Sequence, residues 1–172
     1  MRILAIETAT EACSTALFDN GTLLDARHEV LGRGHAERLV PMIAELPGKG
    51  CAGEIRVSLG PGSFTGVRIG LAVARALGIA WHAQVRGYPT LALVAAIARG
   101  EAGGPVTVCM TGGHGEWFVQ DFDAGAIPAG AVASLAPEAA AARAVHPLIA
   151  GSKAAALGEL AQIEPSAVEL PD

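Results

Sequence analysis

The chain has almost no lysine. Lys49 and Lys153 are the only two, against ten arginines, and no basic run interrupts the 172 residues. Clustered cations are what grip a phosphate backbone, so their absence argues against tight nucleic-acid binding by this chain alone. Charge of either sign is scarce. Charged residues make up 17% and the formal net charge is −5, against the roughly 25% charged residues of typical soluble domains. A low charged fraction leaves surface that water does not favour, which predicts a protein partner. Cysteine is rare as well: Cys13, Cys51 and Cys109 show no CxxC spacing. An odd count without that spacing reads as free thiols. None of His28, His35, His82, His114 and His146 pairs with another His or Cys at metal-ligand spacing, so each reads as a surface or loop residue. No hydrophobic run reaches the ~18 residues that span a bilayer. Met1-Arg2 leads into a strand rather than a signal peptide. These absences predict a cytoplasmic protein without a membrane segment.

Glycine, by contrast, is plentiful, and its placement organises the chain. Ser58-Leu59-Gly60-Pro61-Gly62-Ser63 reads as a strand end and a tight turn. Ser63 suits a helix N-cap, since its hydroxyl can accept from an N–H one turn on. In the helix read over 63–80, Gly66, Gly70, Ala74 and Gly78 recur every four residues and so line one face. Each glycine costs a helix roughly 1 kcal/mol relative to alanine, and close approach of another backbone is the usual offset. The other faces carry Val67, Ile69, Leu71, Val73 and Leu77, with Arg68 and Arg75 as the only charges. A helix apolar all round is buried all round, here by the chain's own sheet on one side and by a second protein on the other. The strip itself fits either a core or an association surface. On the association reading, Gly70→Leu spares the fold and blocks the partner through overpacking of ~1–3 kcal/mol.

The rest of the chain supplies an α/β pattern. Arg2–Glu7, Cys13–Asp19 and Thr22–Val30 read as an antiparallel meander, with Asn20-Gly21 as a hairpin turn. His35–Leu46 has helical spacing despite Pro41. Glu54–Leu59 is a fourth strand, Val85 ends a short fifth, and Tyr88–Arg99 is a helix with Pro89 in its first turn. Strand–helix–strand order predicts parallel pairing here. Gly100–Pro105 reads as a boundary, dividing the chain into lobes 1–100 and 101–172. Beyond it, 106–110 and 116–121 form a hairpin. In 124–144, eleven of twenty-one residues are alanine, leaving only a helical tendency over 138–144. Leu148–Ala150 reads as a strand and 152–160 as a last helix. No internal repeat is evident.

Chemical motifs are near misses. The Gly60–Gly66 loop lacks the Lys-Ser/Thr of a P-loop, spaces its glycines wrongly for a dinucleotide fingerprint, and does not place Ser63 in G-x-S-x-G. Glu7, at the end of the first strand beside Thr8, could hold a metal or water; a solvated strand end is the plainer alternative.

Three ordered segments carry a resemblance: Met1–Thr10 (MRILAIETAT), Arg33–Pro41 (RGHAERLVP) and Gly60–Ala72 (GPGSFTGVRIGLA). Together they resemble the TsaB family of tRNA N6-threonylcarbamoyladenosine biosynthesis. The resemblance implies an actin/Hsp70-like (ASKHA, ribonuclease-H-type) two-lobed fold with mixed sheets, flanking helices and a reduced second lobe. It implies a non-catalytic subunit that pairs with the related TsaD transferase, which moves threonylcarbamoyl to N6 of adenosine 37, with TsaE as the third component. It also implies a homodimer when alone, tRNA contact that is indirect at most, no membrane partner, and no cofactor on this chain. ATP and metal would belong to the partner subunits. A loose alignment puts Thr90 and Val94 where TsaD-type proteins carry metal-binding histidines, and Glu7-Thr8-Ala9 where nucleotide-binding relatives carry Asp-x-Gly. The expected interface is His35, Leu39 and Ile43 on one helix and Ser63, Phe64, Gly66, Val67, Arg68, Gly70 and Ala74 on the other. Departures lie at Glu7, where the family usually opens with an Asp-Thr pair, and in the second lobe, at Thr111–Phe118 and in the tail 165–169, which lacks the family's Tyr and Arg. The alternative is an ATP-binding or hydrolytic enzyme of the same fold (kinase, ATPase or peptidase-like), with Glu7 and Thr8 acting on phosphate or metal.

Overall fold

The structure is a computed structural model that describes residues 1–143, 145–163 and 166–168. Contacts divide the chain into Met1–Thr90 and Leu91–Asp172.

The first unit runs β1 (Arg2–Glu7), β2 (Ala12–Asp19), β3 (Thr22–Val30), α1 (His35–Glu45), a short 3-10 turn (Pro47–Gly50), β4 (Glu54–Ser58), α2 (Phe64–Trp81) and β5 (Gln84–Tyr88). Its sheet has the order β3-β2-β1-β4-β5. The first three strands are antiparallel neighbours, while β1, β4 and β5 are parallel. Alternation along the strands sends Leu4, Ile6, Leu17, Ile55 and Val57 to one face, where Leu39, Met42 and Ile43 of α1 and Ala74 of α2 close the core. Pro41 sits inside α1 at an exposed position, so the hydrogen bond it removes lies on the solvent side.

The second unit contains α3 (Thr90–Ala102), β6 (Val106–Thr111), β7 (Trp117–Phe122), β8 (Ala133–Leu135), α4 (Pro137–Ala141), β9 (Leu148–Ala150), α5 (Ala154–Ala161) and β10 (Ser166–Val168). Read from β8, its sheet order is β8-β7-β6-β9-β10. β6, β7 and β8 pair antiparallel; β6, β9 and β10 pair parallel. This is the order and sense of the first unit over again, with a helix after the third strand and another after the fourth. The sequence shows no repeat because only the backbone path is duplicated, with three-residue strands and a five-residue α4 in the second copy. Two such sheets are the ribonuclease-H-type, actin-like architecture, with a reduced second copy.

Differences from the sequence reading have local causes. The division falls after Thr90 because Leu91, Val94, Ala95 and Ala98 of α3 pack with Val106, Val108 and Phe122. β5 runs on to Tyr88 and α3 starts after Pro89. β8 lies within the alanine-rich stretch, where side chains give no periodicity. Of the tail motif, Ser166–Val168 forms β10, while Pro165 and Glu169 lie outside the described residues. Cys13 and Cys109 are buried free thiols, which burial pushes up to about 11 and about 12; Cys51 is exposed.

The main correction concerns α2. Its four buried positions are Gly66, Gly70, Ala74 and Gly78. A Cβ on Gly66 would overlap the carbonyl oxygen of Thr8. On Gly70 it would lie 2.5 Å from Thr8 Oγ1 and 3.4 Å from Val57 Cγ2, and on Gly78 2.6 Å from Val85 Cγ2. The backbone that approaches the strip is therefore the chain's own. Gly66, Gly70 and Ala74 do not present an association surface, and Gly70→Leu cannot spare the fold. At 18 residues α2 is also the one described helix long and apolar enough to cross a membrane, where the sequence reading expected none. Its small residues are accounted for by the sheet they lie on.

The strip yields a stability test. Gly66→Ala should cost about 3 kcal/mol or more, because rigid backbone must give way. Gly100→Ala, in α3 with nothing within 4 Å of its new methyl group, should gain about 0.5–1 kcal/mol. Urea unfolding of both variants checks the contrast.

Candidate functional site

On the sheet face away from α1 and α2, one polar row crosses all five strands of the first unit. Ser14 pairs with Glu7 on one side and His28 on the other. Ser58 follows Val57, the partner of Ile6, and pairs with Tyr88. The row therefore reads His28–Ser14–Glu7–Ser58–Tyr88. Ser14 Oγ and His28 Nδ1 are 2.8 Å apart. Glu7 sits beside Ser14, yet its hydrogen bonds go the other way: it accepts from the Ala9 N–H at 2.6 Å and from the Tyr88 hydroxyl at 3.4 Å. The acid does not reach the histidine, so the row is not a Ser–His–acid relay.

Glu7 is buried, at 9% exposure, and not a solvated strand end. Burial pushes its carboxyl above the ordinary value of 4.5, against the lowering effect of its hydrogen bonds. Burial, and then the charge of Glu7, pushes the Tyr88 phenol up in turn. Thr8 is committed too, donating from Oγ1 to the Gly66 carbonyl at 2.8 Å. Among the described residues, no group of three or more His, Cys, Asp or Glu could share a metal ion.

The loop into α2 locks onto this strand end. The Ser63 N–H donates to the Ala9 carbonyl at 2.7 Å, and a Cβ on Gly62 would overlap that same oxygen. Ser63 caps α2 by accepting from Gly66 N–H at 3.2 Å, as its position in the sequence predicts. Thr90 joins the cluster through Oγ1, 2.6 Å from Ser58 Oγ, and through its N–H to the Gly60 carbonyl at 3.0 Å. Thr90 is thus a buried hydrogen-bonding residue, and Val94 is buried in the second unit's core.

On the opposite side of the sheet, α1 and α2 form an outer layer whose solvent face carries exposed apolar side chains among Glu37, Arg68 and Arg75. Val40 is 50% exposed, Phe64 74% and Ile79 79%, with Ala44, Ala72 and Ala76 exposed beside them. The Arg68 guanidinium lies 3.2 Å from the Phe64 ring centroid, a cation–π arrangement. Of the ten interface residues expected from the sequence, Ser63, Phe64 and Arg68 are exposed and Val67 is half-buried. Leu39 and Ile43 are core, and Gly66, Gly70 and Ala74 lie on the sheet. His35 is buried, with Nε2–H placed to donate to the carbonyls of Thr10 and Ala12, each at 3.1 Å. It therefore pins the β1–β2 turn. Val40, Ala44, Ala72, Ala76 and Ile79 are exposed apolar residues of the two helices that the sequence reading did not name. The signal was present, since these stand opposite the small-residue strip and the Leu39/Ile43 stripe on helices of period 3.6.

Glu7 gives a pH test. A carboxyl whose folded value is raised adds stability below its unfolded value of 4.5 and loses it as pH climbs through the folded value. Glu7→Gln keeps an acceptor for Ala9 and never ionises. The variant's melting temperature should therefore rise relative to the parent's between pH 4 and pH 7. Parallel pH profiles for the two proteins would show the effect contradicted.

Comparison with known proteins now adds identity to geometry. The family model described as "TsaD: tRNA N6-adenosine threonylcarbamoyltransferase" matches residues 28–170. The tRNA threonylcarbamoyladenosine biosynthesis protein TsaB of Escherichia coli K12 is 43% identical over 100 residues, 55% of this chain and 43% of that protein. The TsaB of Bacillus subtilis is 34% identical over 91 residues, 49% of this chain and 38% of that protein. These matches span less than half the length of the curated relatives. The solved structure of YeaZ from Pseudomonas aeruginosa superposes with a TM-score of 0.80 at 31% identity, covering 96% of this chain and 82% of that one. Family model, relatives and fold agree, and the chain belongs to the TsaB family within the wider TsaD group.

Proposed function

We propose that this chain is the non-catalytic subunit that a TsaD-type transferase requires to move threonylcarbamoyl onto N6 of adenosine 37 in tRNA, and that it works by pairing with that transferase through the outer face of α1 and α2. The observation that carries the reading is the apolar outer face itself. Val40, Phe64 and Ile79 stand in water on two helices whose inner faces are already satisfied by the sheet. Large apolar side chains left exposed on two neighbouring helices support an association surface. A related partner with helices in the same places would offer a matching one. The same face lets two copies of this chain pair when the transferase is missing.

The chain itself binds no nucleotide or metal on this reading; ATP and metal belong to TsaD and TsaE. Two features support that division. The Glu7 carboxylate already takes the amide of its own turn, and the Thr8 hydroxyl is spent on α2. tRNA is met through the partner, in keeping with the lack of a basic run. The site of action is the cytoplasm.

Ile79→Glu and Val40→Glu each change an exposed side chain, so the melting temperature should hold. Binding to TsaD should weaken at least tenfold, ~1.4 kcal/mol, as expected for central apolar anchors. Titration calorimetry with purified TsaD measures both variants, and unchanged affinity in both would refute the pairing face. Calorimetry with Mg-ATP should give no micromolar binding to the isolated chain; a micromolar isotherm would favour an ATP-using enzyme instead.

A further inference from the structure

We infer that Tyr88 is a positioning residue for the pairing face, acting through Glu7 on the first turn of α2; the inference rests on the pairing proposed above. The relay is continuous and lies wholly within the first unit. Tyr88, at the end of the edge strand β5, reaches over β4, and its hydroxyl meets the Ile6 carbonyl at 2.9 Å and Glu7 Oε2 at 3.4 Å. The other oxygen of Glu7 takes the Ala9 N–H at 2.6 Å. The Ala9 carbonyl takes the Ser63 N–H at 2.7 Å. Ser63 caps α2, and the next residue is Phe64, 74% exposed and covered by Arg68.

Thr8 fixes Gly66 from below, through its hydroxyl and its carbonyl, so the depth of α2 on the sheet is set without Tyr88. What Tyr88 sets is the conformation of the 8–10 turn, by holding the carboxylate that the turn wraps around. Glu7 loses one of its stabilising donors when the phenol is removed, and a buried carboxylate short of donors seeks water or a proton. The turn then loosens while the sheet beneath keeps its pairing. The consequence falls on the residues that hang from the turn, Ser63 and Phe64, and on the exposed surface they present.

The test is Tyr88→Phe in the full chain, with Glu7→Ala and Glu7→Gln alongside, read by residue-resolved amide hydrogen exchange and by affinity for TsaD. Tyr88→Phe and Glu7→Ala should speed exchange at the Ser63 and Gly66 amides about tenfold or more, leaving amides in the second half of α2 and in β1 unchanged, and should weaken TsaD binding several-fold. Glu7→Gln, which keeps the acceptor, should behave as the parent in both. A uniform rise in exchange across the unit, or none at Ser63, overturns the inference, since a residue that only stabilises would act globally. If the unaltered chain fails to bind TsaD, the pairing proposal falls and the exchange pattern still decides whether Tyr88 positions the turn.

Discussion

The structure depends on one contact between two stretches of bare backbone. The N-terminal half of α2 lies so close to the turn after β1 that only glycine fits at 62 and 66. That contact sets how deep α2 sits, and α2 in turn closes the core with α1. The intrinsic cost of glycine within a helix, about 1 kcal/mol per residue, is offset by this proximity. It brings the Thr8 hydroxyl within reach of the Gly66 carbonyl and the Ser63 amide within reach of the Ala9 carbonyl. Polar groups of the turn and the loop that would otherwise need water satisfy each other.

A second layer of consequences follows at the strand end. In a parallel arrangement of this kind, the ends of β1 and β4 are where ligands and catalytic groups are usually sited. Here that position is filled from within. Glu7 is wrapped by its own turn and held by Tyr88, and Thr90 ties the exit of the unit to Ser58 beside it. Side chains that could meet a phosphate or a metal are employed in seating a helix.

Much of this was legible in the residues, and the failures are instructive. Strand alternation, the Asn20-Gly21 turn and the Ser63 cap gave the first unit nearly residue by residue, because each rests on local physics. The existence of a close backbone contact along Gly66, Gly70 and Ala74 was also legible. Its direction was not, since spacing on a helix fixes a face but not which neighbour meets it. His35 read as a surface residue because its partners, the carbonyls of Thr10 and Ala12, belong to main chain that no side-chain pattern reveals. The duplicated topology stayed hidden because alanine fills much of the second copy, and three-residue strands leave too few side chains to show a period. The exposed apolar positions of α1 and α2 were legible only in reverse, as whatever lies opposite the buried strip.

The central claim is that the inner face of α2 builds the fold and its outer face meets the partner. Hydroxyl-radical footprinting of the chain, alone and with an excess of TsaD, tests it most directly. The account predicts that Val40, Phe64 and Ile79 lose most of their reactivity in the complex, while the exposed Ile127 of the second unit keeps its own. A complex that forms with Val40, Phe64 and Ile79 as reactive as before would contradict it.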